Sequence, residues 1–349
     1  MNTIKKLLLF FIVIIATVGA LAFWLYSSLN KSITHDKSET YIVIAHGSSP
    51  NRIIEVLEKE NIIQSHLALE LYFRFLNRNP QLQAGDYLFP SPISPMEAIH
   101  ILKKGKKRTE NFTVPEGWTR FDIAERIAEQ FPSEPPLNKA AILEMMEDTH
   151  LIQDIDSSAT NLEGYLYPST YQFAEGTSAA QVIEKMVQQF KAIWQPEWDA
   201  LAQKMGRSKR EIVTIASLIE NESKIDAERP IVASVIYNRL EQQIPLGIDA
   251  TNVYIAKLQD RWDGIIHKSD VEVDHPYNTR KISGLPPGPI SSPSKSAIEA
   301  ALNPAQTDYL YYVLNVEKND GSHHFYATSN GFLKGKRAYQ KWLREQRGK

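Results

Sequence analysis

Residues 7–26 (LLLFFIVIIATVGALAFWLY) carry no charge, and the uncharged run continues to Asn30. Twenty such residues wound as a helix span a hydrocarbon layer of about 30 Å. Lys5 and Lys6 precede the run, and Trp24 and Tyr26 near its end suit a membrane interface. The positive-inside rule then keeps residues 1–6 in the cytoplasm and places the rest of the chain outside it. A cleaved signal peptide is the alternative, since Ala20-Leu21-Ala22 resembles a cleavage site. The apolar run continues past Ala22, which favours an uncleaved anchor. A single-pass protein of the cytoplasmic membrane, with its body on the extracytoplasmic (periplasmic) side, is the expectation.

An exported body of this kind works where nucleotides are scarce, and the chain has neither a P-loop nor a G-x-G-x-x-G turn. It has no cysteine, which excludes disulfides, thiol catalysis and Cys-ligated metal. The net charge of −2 over 349 residues gives no general affinity for nucleic acid. The basic stretch 103–108 (KKGKKR) is short and lacks interleaved aromatics. It reads as a solvated helix end rather than a nucleic-acid patch.

After a polar linker at 31–40, residues 41–44 read as a strand and Ser49-Pro50 as a helix start. A second helix is expected at 67–76, ended by Asn79-Pro80. A turn at Ala84-Gly85-Asp86 leads into a strand, and a third helix runs from Pro95 to the C-cap Gly105. This is a small α+β module. A larger unit follows, with a strand at 111–114 and helices near 119–131, 138–147, 177–194, 208–222 and 229–242. Between them, 162–168 is expected to be extended. Residues 277–293, rich in proline and glycine, should be irregular. Strands at 309–316 and 323–327 flank Asn319-Asp320-Gly321 as a hairpin, and a basic helix covers 331–347.

The helix at 211–222 (EIVTIASLIENE) holds the most informative carboxylate. On a helical wheel Ile212, Val213, Ile215, Ala216 and Ile219 share one apolar arc, and Glu220 falls inside it. Glu222 lies at the edge and points elsewhere. A carboxyl among apolar neighbours is costly unless paired or protonated. Two readings stand. In one, Glu220 is a general acid with a raised pKa, facing a crevice and free of any guanidinium. In the other it is locked in a buried ion pair with Arg229 or Arg239 of the next helix. Polar residues in several neighbouring irregular segments, with the rigid loop Gly284-Leu285-Pro286-Pro287-Gly288 as a wall, suit a cleft for a polyhydroxylated ligand. A metal site built from His323, His324, Asp249 or His275 is disfavoured, because adjacent histidines in a strand point to opposite faces.

The series IASLIENES, ERPIVASVIYNRL, LGIDAT, YNTR, GLPPGPISSP and SHHFY, in this order, resembles the endolytic murein transglycosylase family (MltG-like, with a YceG domain). The resemblance runs over residues 116–327. It extends to the first module, whose AGDY turn is similar to a LysM-like subdomain, and to the N-terminal anchor. It implies an α+β architecture: a cytoplasmic tail at 1–6, a transmembrane anchor at 7–29, a LysM-like subdomain at 41–108, and a mixed α/β catalytic domain at 110–347 with a C-terminal hairpin. It also implies a lytic transglycosylase, which cleaves the MurNAc-GlcNAc bond of nascent peptidoglycan strands without water and leaves a 1,6-anhydro-MurNAc end. Glycan elongation would stop there.

Carried over by motif, Glu220 is the catalytic glutamate, acting first as acid and then as base on the C6 hydroxyl. Glu228, Arg229, Asp249, Thr251, Tyr277, Asn278, Thr279 and His323 are expected to line the sugar groove. No cofactor and no metal are implied. Peptidoglycan and, less directly, its synthases are the implied partners. Gly247 and Ile248 depart from the family pattern, and so does Ser169, which replaces an Asp. A hydrolytic muramidase, or a non-catalytic peptidoglycan-binding scaffold, are the other functions such a chain would serve.

Overall fold

The computed structural model describes residues 3–45, 47–78, 80–105, 109–131, 133, 135–174 and 176–347. Asn79, expected to break a helix, and Lys106, Lys107 and Arg108 of the basic stretch lie outside the described residues. The chain divides into two compact units, Met1–Glu110 and Asn111–Lys349.

The first unit begins with α1 (Thr3–Asn30). Within it, Leu9–Asn30 is long and apolar enough to cross a membrane. Its large side chains from Leu9 to Phe23 are exposed, whereas Leu29 is buried and Leu25 packs beside it in the core of this unit. Next come β1 (Ile42–Ile44), α2 (Pro50–Lys59), α3 (Leu67–Phe75), β2 (Gly85–Tyr87) and α4 (Pro95–Lys104). The two strands pair antiparallel, Ile42 opposite Tyr87. Ser49 accepts from the Arg52 N–H, and Ser94 forms a reciprocal capping box with Glu97. Gly105 closes α4 at φ +63°. Ile53, Ile54 and Leu57 of α2 meet Leu69, Phe73, Ile99 and Leu102 in one core.

The second unit carries β3 (Thr109–Val114, from Asn111 on), α5 (Arg120–Gln130), α6 (Lys139–Met145), β4 (Ser169–Ala174) and α7 (Ala179–Ile193). They are followed by α8 (Pro196–Lys204), α9 (Lys209–Glu222), α10 (Arg229–Glu241), α11 (Asp249–Leu258), α12 (Lys268–Glu272) and α13 (Lys295–Leu302). The unit ends with β5 (Tyr311–Leu314), β6 (His323–Tyr326) and α14 (Ser329–Arg347). β3 pairs with β4, and β5 pairs antiparallel with β6, Tyr311 opposite Tyr326.

The mixed helix-and-strand character and the single apolar N-terminal helix hold as expected. Residues 162–168 do not: Leu162 to Tyr165 close a turn, because Gly164 sits at φ +83° and leaves no room for a side chain against Pro289. α8, α11, α12 and α13 were not anticipated. α11 begins at Asp249.

α9 is the axis of this unit. A Ser208–Glu211 capping box starts it, and Ile212, Val213, Ile215, Ala216, Leu218 and Ile219 are fully buried. α8, α10, α11 and α13 pack around it. The 284–292 loop is fastened along its length. Arg210 donates to the Pro287 carbonyl at 2.8 and 3.0 Å, Ser217 Oγ accepts from the Ile290 N–H at 3.1 Å, and Asn221 donates to Ser291 Oγ at 2.7 Å.

Candidate active site

Glu220 leaves the last turn of α9 with its side chain 5% exposed, and it is not alone among apolar neighbours. Its Oε1 accepts from Arg229 Nη2 at 2.8 Å. Its Oε2 accepts from the Ser294 N–H at 2.8 Å and from the Ser294 hydroxyl at 2.5 Å. Ser294 is the N-cap of α13, so the carboxylate also sits at the positive end of that helix. Expected free of a guanidinium if catalytic, Glu220 is instead in the buried ion pair of the other reading, and its partner is Arg229. Arg239 is spent elsewhere, on the backbone carbonyls of Leu310, Pro245 and Leu246.

Arg229 is the hub. Its side chain is 4% exposed, at the first turn of α10, where Pro230 helps start the helix. Besides Glu220 it reaches Ser294 Oγ at 2.5 Å, the Ser296 hydroxyl, and Asp226 at 3.2 Å. A further carboxylate shares its Nη2: Glu116 Oε2, at 3.8 Å, on a side chain 56% exposed.

Glu116 lies in the turn after β3 and was not among the expected site residues. Two backbone bonds fasten that turn beside Ser294: Gly117 N–H to the Ser292 carbonyl at 2.9 Å, and Ser292 N–H to the Trp118 carbonyl at 2.8 Å. A Cβ on Gly117, at φ +76°, would stand 3.8 Å from Glu220 Cγ. Partial burial, then the Glu220 carboxylate, push the Glu116 carboxyl above the usual range. Half-buried Tyr167 faces the same two carboxylates and shifts upward, through its own burial first.

The remaining expected residues divide. Glu228 and His323 pair with each other, their side chains 13% and 12% exposed. Asp249 forms a surface pair with Arg280. Tyr277 packs its ring 5.0 Å from that of Tyr254 and keeps partial exposure. Thr251, Asn278 and Thr279, expected to line a groove, are wholly buried. The Thr251 hydroxyl bonds the Ile248 carbonyl at 2.7 Å, Thr279 Oγ1 accepts from the Ile248 N–H at 2.9 Å, and Asn278 donates to the Val271 and Val273 carbonyls at 3.0 and 2.7 Å. These side chains satisfy the backbone of irregular segments, a task that requires them to face inward.

Glu222 turns away from Glu220, as the wheel implied, and accepts from the Tyr312 hydroxyl at 2.5 Å. Its burial raises its carboxyl above the ordinary range. A groove of about 720 Å³ lies elsewhere on the unit, lined by Phe121, Asp122, Lys139, Lys257 and Trp262 among others, and includes none of the expected residues.

Comparison with known proteins gives the family of the chain. The profile of the YceG-like family matches residues 42–338. A Bacillus subtilis protein named endolytic murein transglycosylase is 34% identical over 336 residues, covering 91% of this chain and 90% of its own length. A Streptococcus pneumoniae protein of the same name is 29% identical, and the match spans 90% of this chain and 62% of that longer relative. The crystal structure of a YceG-like protein from Listeria monocytogenes superposes with a TM-score of 0.57 at 32% identity, over 87% of this chain and 99% of its own.

Proposed function

The chain belongs to the YceG-like family, and from that premise we propose that it is an endolytic murein transglycosylase acting through Glu220. It cleaves glycan strands of peptidoglycan internally. What supports the reading is the family match over residues 42–338; Glu220, expected free of a guanidinium if catalytic, is held by Arg229 and by the N-cap of α13, beside the exposed Glu116.

The Glu220 carboxyl gives its proton to the oxygen linking MurNAc C1 to the GlcNAc that leaves. As the C1–O bond breaks, positive charge builds at C1, and the carboxylate left behind stabilises it. The C6 hydroxyl of the same MurNAc then closes on C1, and its proton returns to Glu220. No water enters, and the product ends in 1,6-anhydro-MurNAc. One group serves as acid and then as base, unlike the two-carboxylate pattern of most glycosidases.

Within this reading Glu228, Asp249, Tyr277 and His323 border the sugar path, and the buried Arg229 acts by holding Glu220. Thr251, Asn278 and Thr279 serve behind it, keeping the loops in place. α1 anchors the protein in the cytoplasmic membrane, and Lys5 and Lys6 orient the body outward, where nascent strands are made. The β-α-α-β order that follows α1 in the first unit supports its reading as LysM-like. Synthases that extend glycan strands are the natural neighbours of such an enzyme.

Digestion of purified, uncrosslinked glycan strands by the full-length protein in detergent tests this. Mass analysis is expected to find anhydro-ended fragments of intermediate length. Reducing ends would make the protein a hydrolytic muramidase, and intact strands with retained binding would make it a scaffold.

A further inference from the structure

A carboxylate that accepts from a buried guanidinium and from two donors of Ser294 has no proton to give. A general acid at this position must be loaded, and among the described residues Glu116 is the carboxylate that shares with Glu220 one nitrogen of Arg229. The turn of Glu116 is fixed by backbone bonds on both sides of Ser292, and the side chain's 56% exposure leaves it open to solvent and to an entering strand.

We propose that Glu116 and Glu220 exchange one proton across the shared Arg229 guanidinium, so that Glu116 loads the acid on which cleavage depends. The inference rests on the catalytic reading of Glu220 given above. In the resting protein the proton sits on Glu116, and Arg229 pairs with ionised Glu220. When a strand covers the site, the proton passes from the Glu116 carboxyl to the Glu220 carboxylate. The ion pair passes the other way, from Glu220 to Glu116. Total charge is unchanged, and Arg229 is never left unpaired, which is what makes the exchange inexpensive at a buried guanidinium. Glu220 then protonates the glycosidic oxygen and recovers a proton from the C6 hydroxyl. On product release the proton returns to Glu116. The pair neither takes up nor loses a proton over the cycle.

The charged and titratable groups facing this pair are Asp226 from the turn before α10, Arg229 from α10 and Tyr167 from the segment before β4. Of α13, the Glu299 carboxylate acts on Tyr167, and Lys295 meets it through its backbone N–H alone. None of them duplicates Glu116, because none of the other carboxylates shares Nη2 of Arg229 in the described contacts. Glu116 is thus a positioning residue, acting through Glu220.

The test compares anhydro-end formation on glycan strands across about pH 4.5 to 8 for the full-length protein and for Glu116→Gln, Glu116→Asp and Glu220→Gln. Glu220→Gln must abolish cleavage; full activity there would remove the underlying reading, whatever Glu116 does. With that satisfied, Glu116→Gln is expected to lose about 10- to 100-fold in kcat at neutral pH, with KM within about twofold. Its alkaline limb should move to lower pH, because Glu220 must then be protonated without a neighbouring anion to take over Arg229. Glu116→Asp should restore part of both. A Glu116→Gln profile that superposes on the wild type after scaling, or an unchanged kcat, overturns the exchange. If that variant does not fold, carboxyl-carbon NMR of the wild type decides. A coupled pair shows two inflections at both Glu116 and Glu220, and one independent inflection each refutes the idea.

Discussion

His323 is gripped at two points by a single carboxylate: its backbone N–H donates to Glu228 Oε1 and its Nδ1 meets Glu228 Oε2, each at 2.9 Å. Glu228 is the residue before Arg229, so the contact ties the first residue of β6 to the start of α10, where Glu220 finds its partner. Glu228→Ala leaves the His323 N–H without its partner and is expected to cost about 1–3 kcal/mol. Denaturant unfolding of both single variants and the Glu228→Ala/His323→Ala double variant should give a coupling of about 1 kcal/mol. A coupling near zero would mean the pair holds nothing.

The Glu220–Arg229 bond changes what amidation of Glu220 should do. A carboxyl alone on an apolar face would tolerate Glu220→Gln with unchanged or higher stability. Here the same variant leaves the Arg229 guanidinium, 4% exposed, without its closest anion. Removing one member of a buried pair costs about 3–5 kcal/mol; the retained hydrogen bonds of Gln and the nearby Glu116 and Asp226 reduce this to about 1–3. Activity and a few degrees of Tm should therefore fall together. Glu220→Gln/Arg229→Met should recover the Tm and not the activity. Recovery of neither would show that Arg229 has duties beyond this pair.

Much of this was legible in the sequence wherever local chemistry decides. The Ser208–Glu211 capping box and the spacing of Ile212, Val213, Ile215, Ala216 and Ile219 define α9, and the wheel separates Glu220 from Glu222. Periodicity places a side chain on a face but says nothing of what faces it. Arg229 was one of two candidate partners, and only the fold brings Ser294 to the other carboxylate oxygen. Glu116 was invisible as a site residue for the same reason: its relation to Arg229 depends on the Ser292 contacts, not on any pattern near residue 116. Motif resemblance failed in a different way at Thr251, Asn278 and Thr279. Small polar residues next to a groove motif look the same in sequence whether they face sugar or satisfy buried backbone, and here they do the latter.

The end of the apolar helix is part of the first unit's core. A cut after Asn30 follows the end of the uncharged run and should give soluble protein, yet it removes Leu29, 6% exposed, and Leu25 beside it. Burying one leucine contributes about 1.5–3 kcal/mol. A chain beginning at Leu25 is therefore expected to melt several degrees above one beginning at Lys31, with both soluble. Equal melting of this unit would show that α1 ends in the core without supporting it.

Stability should also depend on pH through Glu163. Its carboxyl is fully buried, accepts the Arg120 N–H at 3.1 Å on both oxygens, and is pushed up to about 7 by burial. In the unfolded chain the group titrates near 4.5. Between these two values the folded protein holds a proton that the unfolded chain has lost, so raising the pH favours unfolding. The contribution is absent below the unfolded value, grows as pH rises, and is complete above the folded one. A shift of this size corresponds to roughly 3 kcal/mol. Glu163→Gln cannot ionise and should remove that slope: the wild type loses Tm from pH 5 to 7.5 relative to the variant, and the two converge near pH 4.5. Parallel Tm curves across this range would show that Glu163 titrates alike in both states, and that the Arg120 N–H is enough to hold it ionised.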